Sequence, residues 1–252
     1  MKTRFKMTAL ALLLGFGITA QAAAGDSAVS YYNQGGAKQT KDDLDGAIAD
    51  YNHAIELDPK YVGAYYNRGA AKQAKGDLDG AVADYNHAIE LNPKYANAYN
   101  NRGIVKHAKG ELDGAIADYR HFCELSESGQ DYPRLYIWLI RSHLGETEAA
   151  SKELSAYLDK RTNAAPGDWF SKVSGHLLGN ITEAELFAAD APPDAKKARG
   201  RSCEAWFYAG MKKLLSGNKK TAATYFQKCL ATEQKNYAEY HLAQAELKAL
   251  AP

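Results

Sequence analysis

Apolar side chains recur along this chain with a helical step. Leu78, Ala81, Val82, Tyr85 and Ile89 fall at i, i+3, i+4, i+7 and i+11, one apolar stripe on an α-helix. A strand would alternate its faces at every residue instead. Gly76-Asp77 stops the preceding helix and caps this one, and Asn92-Pro93 ends it, because the residue before a proline is pushed out of the helical region. Residues 47–57 return as 81–91 with one Ile-to-Val change, an offset of 34. Gly35, Gly69 and Gly103 keep that step, as do Ala47, Ala81 and Ala115, Tyr51, Tyr85 and Tyr119, and Pro59 with Pro93. Three units of two helices each follow, 28–61, 62–95 and 96–129. Gly69 and Ala81 let the two backbones approach, and Tyr85 fills the space beyond. A larger residue at Gly69 would cost about 1–3 kcal/mol by overpacking.

Past residue 130 the pattern loosens. Leu135, Trp138, Leu139, Gly145, Ala149, Ala150, Leu154 and Leu158 predict a degenerate fourth helix pair in 130–164. In 165–201, Trp169, Phe170, Val173, Leu177 and Leu178 form a stripe stopped at Gly179, and Thr182 to Glu185 reads as a capping box opening a short helix. Pro192-Pro193 with 194–201 reads as a polar linker. Trp206, Ala209, Gly210, Gly217, Ala222 and Phe226 restore the repeat spacing in 202–252, where 237–250 supplies a closing helix. Such a lid is needed because each repeat covers its neighbour's apolar face and the last has no neighbour.

Composition narrows the function. The chain has 252 residues, 46% apolar and 24% charged, enough to bury a core. Its formal charge of +1 supplies no long-range field for nucleic acid or an anionic membrane, so neither is an expected partner. Residues 1–24 read as a signal peptide: Lys2, Arg4 and Lys6, an apolar run over 7–19, then Ala20-Gln21-Ala22 as a small-x-small cleavage site. That run is shorter than the roughly 20 residues a membrane span needs. Cleavage after Ala22 or Ala24 predicts a periplasmic or secreted chain. It removes three cations and no acid, which turns +1 into −2. With no cysteine near the cleavage site, no lipid or membrane anchor is expected.

The spacing resembles the tetratricopeptide repeat (TPR) family, whose 34-residue unit carries an aromatic, a glycine, a small residue, an aromatic and a proline. Tyr31, Tyr65 and Tyr99 match the first aromatic, followed by the Gly, Ala, Tyr and Pro sets. Two departures stand out: Gln34, Arg68 and Arg102 replace a leucine, and Glu127 replaces the third proline. The resemblance implies an all-α fold, a right-handed superhelix of stacked antiparallel helix pairs with a groove that holds a peptide or a protein partner. Carried over residue by residue, the groove is lined by Tyr32, Asn33, Gln39, Tyr66, Asn67, Gln73, Asn97, Asn100, Asn101 and His107. Amides pair with a peptide backbone and tyrosines offer large rigid surface; the same residues could instead join adjacent repeats. The family's carboxylate clamp needs basic residues where Val29, Gly63, Tyr and Asn stand here, which disfavours a receptor for acidic chaperone tails. In the family's hairpin the positions of Cys203 and Cys229 face each other, which implies a disulfide and leaves Cys123 free. The order of signal, repeats, irregular section and late repeat also resembles the NlpI family of periplasmic lipoproteins. That implies an adaptor, often a homodimer, which docks envelope hydrolases and a protease.

No residue pattern predicts catalysis or a cofactor. Gly-x-Ser-x-Gly, Cys-x-x-Cys, His-Glu-x-x-His and phosphate-binding glycine loops are absent from the sequence. His53, His87 and His121 share a repeat position, but repeats stack roughly 10 Å apart and ligands to one zinc lie near 2 Å from it, so no metal is expected. Each follows an acid by three residues, Asp50, Asp84 and Asp118, which predicts a local hydrogen bond on a solvated face. The expected function is a non-enzymatic scaffold or adaptor. The alternative is an assembly factor for a pilus, a secretion machine or a division complex.

Overall fold

Helix boundaries in the first half fall on the residues that punctuate the sequence. The computed structural model describes residues 27–161, 168–188, 194–235 and 237–251. The expected signal peptide and Pro192-Pro193 lie outside the described residues. Ser27 caps α1 (Ala28–Gln39) by accepting from the Ser30 N–H, and Asp43 caps α2 (Leu44–Leu57) through Gly46. Helix α3 (Val62–Lys75) ends at Gly76, whose φ of 85° is left-handed, and Asp77 then caps α4 (Leu78–Leu91). The third pair is α5 (Ala96–Ala108) and α6 (Leu112–Leu125). Both α2 and α4 stop on an extended residue, Asp58 and Asn92, directly before a proline.

Each pair closes where a tyrosine meets a glycine. Tyr51, Tyr85 and Tyr119 are wholly buried, and a Cβ on Gly35, Gly69 or Gly103 would sit 2.7, 2.9 or 2.9 Å from the facing ring. Helices α1 to α6 pack in chain order, and α1 also touches α3 and α3 touches α5, so the first helices crowd together on the inner side.

The departure from leucine at Arg68 and Arg102 builds an ionic seam between repeats. Arg68 donates through Nε and Nη2 to both oxygens of buried Asp84, at 2.9 and 2.6 Å, and through Nη1 to Asn52 of the preceding repeat at 2.7 Å. Lys72 adds a contact to Asp84 at 2.9 Å. Arg102, Asp118, Asn86 and Lys106 repeat the arrangement one unit on. In the first unit Gln34 replaces the arginine, and Asp50 keeps only Lys38, at 2.7 Å. The histidines thus do not bond the preceding acids. Those acids turn inward to the cations, while His53, His87 and His121 reach forward to Glu56, Glu90 and Glu124 at 3.2, 3.3 and 3.2 Å.

Helices α7 (Asp131–His143) and α8 (Thr147–Lys160) form the degenerate pair. Then come α9 (Trp169–Leu178), ended by Gly179, and α10 (Glu183–Phe187), opened by the Thr182–Glu185 capping box. Helices α11 (Ala195–Leu215) and α12 (Lys219–Leu230) make the last pair, in which a Cβ on Gly210 would lie 2.7 Å from Phe226. The expected linker over 194–201 is instead the start of α11. Asp194 caps it by accepting from the Lys197 N–H at 2.6 Å, and Gly200 leaves room for Tyr237. Thirteen helices and no strand are present among the described residues.

The closing helix α13 (Ala238–Leu250) does more than cover the end of the stack. It packs against α11 and α12 and crosses to α5, so the last repeat folds back onto the inner side of the third. Buried Glu239 fixes it there, accepting from the hydroxyls of Tyr136 at 2.7 Å and Tyr208 at 2.9 Å. No helix among the described residues is long and apolar enough to cross a membrane.

Candidate partner-binding groove

Helix α13 divides the inner surface into a covered part and an open part. His107 is 8% exposed and sits under α13, so it is held inside and not offered to a partner. Burial, then the nearby His143, lowers its pKa to about 4, and it is neutral near pH 7. Asn100 lines a cavity of about 320 Å³ between α5, α7, α11 and α13. Gln39, Gln73 and Asn101 face Lys235, Ala238 and His241 across another, of about 280 Å³.

Several amides serve the repeats themselves. Gln39 accepts from the Tyr51 hydroxyl and Gln73 from the Tyr85 hydroxyl, both at 2.9 Å, so each ties the two helices of its own pair. His107 holds the equivalent position in the third unit and gives Tyr119 no such partner, which leaves that hydroxyl unpaired. Asn101 donates to the Tyr66 hydroxyl at 3.0 Å, so this asparagine joins neighbouring repeats, while Asn67 is partly buried one unit earlier on α3. Asn100 donates to Asn101 at 3.4 Å.

The open part is aromatic. Tyr32 packs against Tyr61 with ring centroids 4.9 Å apart, and one repeat on Tyr66 packs against Tyr95 at 5.1 Å. Tyr32 and Tyr66 are half-buried, while Asn33 and Asn97 are exposed beside them. Tyr61 and Tyr95 escape a reading based on first-helix positions because each stands just before its helix, as the cap residue of α3 and α5. Their shared 34-residue step was the available signal. Desolvation first, then neighbouring tyrosines, raises the Tyr95 phenol to about 12, so the strip stays uncharged across the physiological range. It presents rigid apolar surface with hydroxyl and amide edges and holds no nucleophile beside a base. No group of three or more His, Cys, Asp or Glu that could hold a metal occurs among the described residues.

Cys203 and Cys229 face each other across α11 and α12, wholly buried, with their Sγ atoms 3.0 Å apart as unbonded thiols. Cys123 is half-buried and free. The two positions of the expected bridge are thus brought into direct contact. Closing it in an oxidising compartment would restrict the unfolded chain by about 3–4 kcal/mol. Protein recovered from that compartment and titrated in denaturant is expected to show one free thiol, Cys123; three free thiols would refute the bridge.

Family models agree with the period. A TPR repeat model matches residues 40–76 and 73–110, and a tetratricopeptide repeat model matches 96–128. No curated protein sequence matches the chain. Among solved structures, a tetratricopeptide repeat protein from Parabacteroides merdae is 19% identical, aligned over 90% of this chain and 87% of its own, with a TM-score of 0.59. YrrB, described as a TPR protein with an unusual peptide-binding site, is 17% identical over 86% of this chain and 92% of its own, with a TM-score of 0.51. MamA is 20% identical over 84% and 94%, with a TM-score of 0.50. At such identities the likeness is one of fold. Residues 40–128 are therefore tetratricopeptide repeats, set in an all-helical solenoid of the kind that solved TPR proteins share.

Proposed function

We propose that this protein is an exported, non-enzymatic scaffold that captures an extended segment of a partner protein along the inner faces of α1 and α3. The observation that carries the reading is the open strip of Tyr32–Tyr61 and Tyr66–Tyr95 beside Asn33, left uncovered by α13. Tyrosine pairs give apolar contact with few torsions to freeze, and the adjacent amide can donate to and accept from a peptide backbone. A strip of this kind tolerates many sequences and suits a docking protein better than a reader of one side chain. The peptide-binding site described for YrrB supports peptide capture as something this fold sustains.

Arg68 and Arg102 belong to the ionic seam and leave the strip without a fixed cation, so the partner segment need not be acidic. The pattern of residues 1–24 supports a periplasmic or secreted location. There the NlpI-like order of the chain fits docking of envelope hydrolases or a protease, by one copy or by a homodimer. Replacing Tyr32 and Tyr66 together by Ala is expected to weaken partner capture at least tenfold, since buried aromatic anchors carry a large share of interface energy. The helical signal should be retained while the unfolding midpoint falls, because Tyr32 and Tyr66 pack on buried Tyr51 and Tyr85 and Tyr66 accepts from Asn101, so capture is compared well below the midpoint of the variant. Unchanged capture by a folded double variant would place the partner elsewhere.

A further inference from the structure

A third cavity lies at the far side of α13, away from the tyrosine strip. It holds about 610 Å³ and runs among the C-terminal ends of α5, α7 and α13. That volume falls in the range of small-molecule sites and exceeds what one partner side chain fills. Its apolar wall is aliphatic, with Leu112, Leu139, Ile140 and Met211 among its residues, and no Phe, Tyr or Trp lines it. His107 lines it too, more than nine-tenths buried, and its ring makes no side-chain hydrogen bond; Nδ1 is closed off without a partner, which leaves Nε2 as the ring nitrogen open to the cavity. A buried polar group without a partner is costly, and it marks a place where a ligand's hydrogen bond would be gained.

The rim decides the charge of the ligand. Lys109 is already held by Asp79 at 2.8 Å and Glu111 at 2.7 Å. That leaves one cation, Lys248, and one acid, Glu246, of opposite formal charge, with His143 facing the acid, whose carboxyl pKa is raised by burial. Burial keeps the His107 ring neutral, so it offers one donor and one acceptor and no charge. The geometry points to a binding site for a small aliphatic molecule bearing one uncharged hydrogen-bonding group, such as an alcohol, whose hydrocarbon lies on Leu139, Ile140 and Met211 while its polar end pairs with His107.

Met211 is the only methionine among the described residues, so its methyl group reports on this cavity alone. The experiment titrates 1-octanol into the full chain labelled with methyl-13C methionine and follows that resonance by NMR. A saturable shift is expected, with octanoate and octylamine binding at least tenfold more weakly. Ala249→Trp, at the exposed mouth, should abolish the shift while leaving the unfolding midpoint in place. His107→Leu should weaken octanol about tenfold. The proposal falls if octanol gives no saturable shift, if the shift survives Ala249→Trp, if a charged analogue binds as tightly, or if His107→Leu binds octanol equally well. None of these outcomes bears on the tyrosine strip, which lies on other residues.

Discussion

Between about pH 6.5 and about 8 the folded chain is expected to lose about 2 kcal/mol of stability relative to Glu204→Gln. Glu204 is buried on α11, where its carboxylate accepts from the Tyr132 hydroxyl at 2.8 Å and from the Trp169 indole. Burial first, then the charge of Glu239 on α13, lifts its pKa to about 8, against the smaller opposing pull of those hydrogen bonds and of Arg201. Tyr237 faces the same carboxyl from the start of α13. In the unfolded chain the group ionises near the ordinary carboxyl value, so above that pH the folded state holds a proton the unfolded state has released. Stability therefore falls with rising pH until the folded pKa is passed. Glu239, also raised by burial, acts in the same direction. His107, His176 and His241 act in the opposite sense, because each is lowered by burial and stays neutral in the fold while the unfolded imidazole binds a proton. Their contribution rises with pH through the unfolded histidine pKa, about 6.5, and levels off about one unit above it, so it offsets part of the glutamate loss in this window. The difference between the parent and Glu204→Gln profiles cancels the histidines and isolates Glu204. Urea unfolding of both chains at half-unit steps between about pH 6.5 and 8 measures that difference, and profiles that run parallel would contradict the account.

Arg68→Leu, which installs the residue that TPR units carry at this position, is expected to destabilise the protein by about 3 kcal/mol. The change strips buried Asp84 of two charge-assisted hydrogen bonds and leaves it Lys72 alone. It also frees Asn52 on the preceding repeat, so the cost falls on the joint between repeats as well as within one. Removing both partners is different from removing one. Arg68→Leu with Asp84→Leu should recover most of the loss, since an apolar pair avoids the desolvation of two charges and Lys72, partly exposed, can turn its ammonium to water. Urea midpoints of the single and double variants test this. A single variant within about 0.5 kcal/mol of the parent would show that the seam contributes little.

The repeats were legible because their contacts are local. Gly69 meets Tyr85 and Asp77 caps α4 through Gly80 within one 34-residue unit, so a periodic sequence displays the packing directly. The ionic seam was half visible. Arg68–Asp84 and Arg102–Asp118 share one spacing, but with no cation known to face inward, the acids read as partners for the histidines beside them. The path of α13 left no local sign. Glu239 reaches Tyr136 across 103 residues of chain, and nothing in the spacing of 237–250 distinguishes a helix that caps the stack from one that folds back on α5. For that reason the repeat spacing places His107 and Asn100 in an open groove, whereas α13 covers both. Residues 194–201 looked like a linker because their charges hide the apolar period, while Asp194 supplies a cap that a polar reading passes over.

The most direct test places a photo-crosslinking side chain at exposed Asn33 or Asn97 on the inner face, and at exposed His53 or His87 on the second helices, in cells that express the protein. The inner positions are expected to yield one discrete polypeptide adduct each, lost when Tyr32 and Tyr66 are both Ala, while the second-helix positions yield none. Adducts formed only from His53 and His87, or inner-face adducts that persist without the two tyrosines, would contradict capture along the strip.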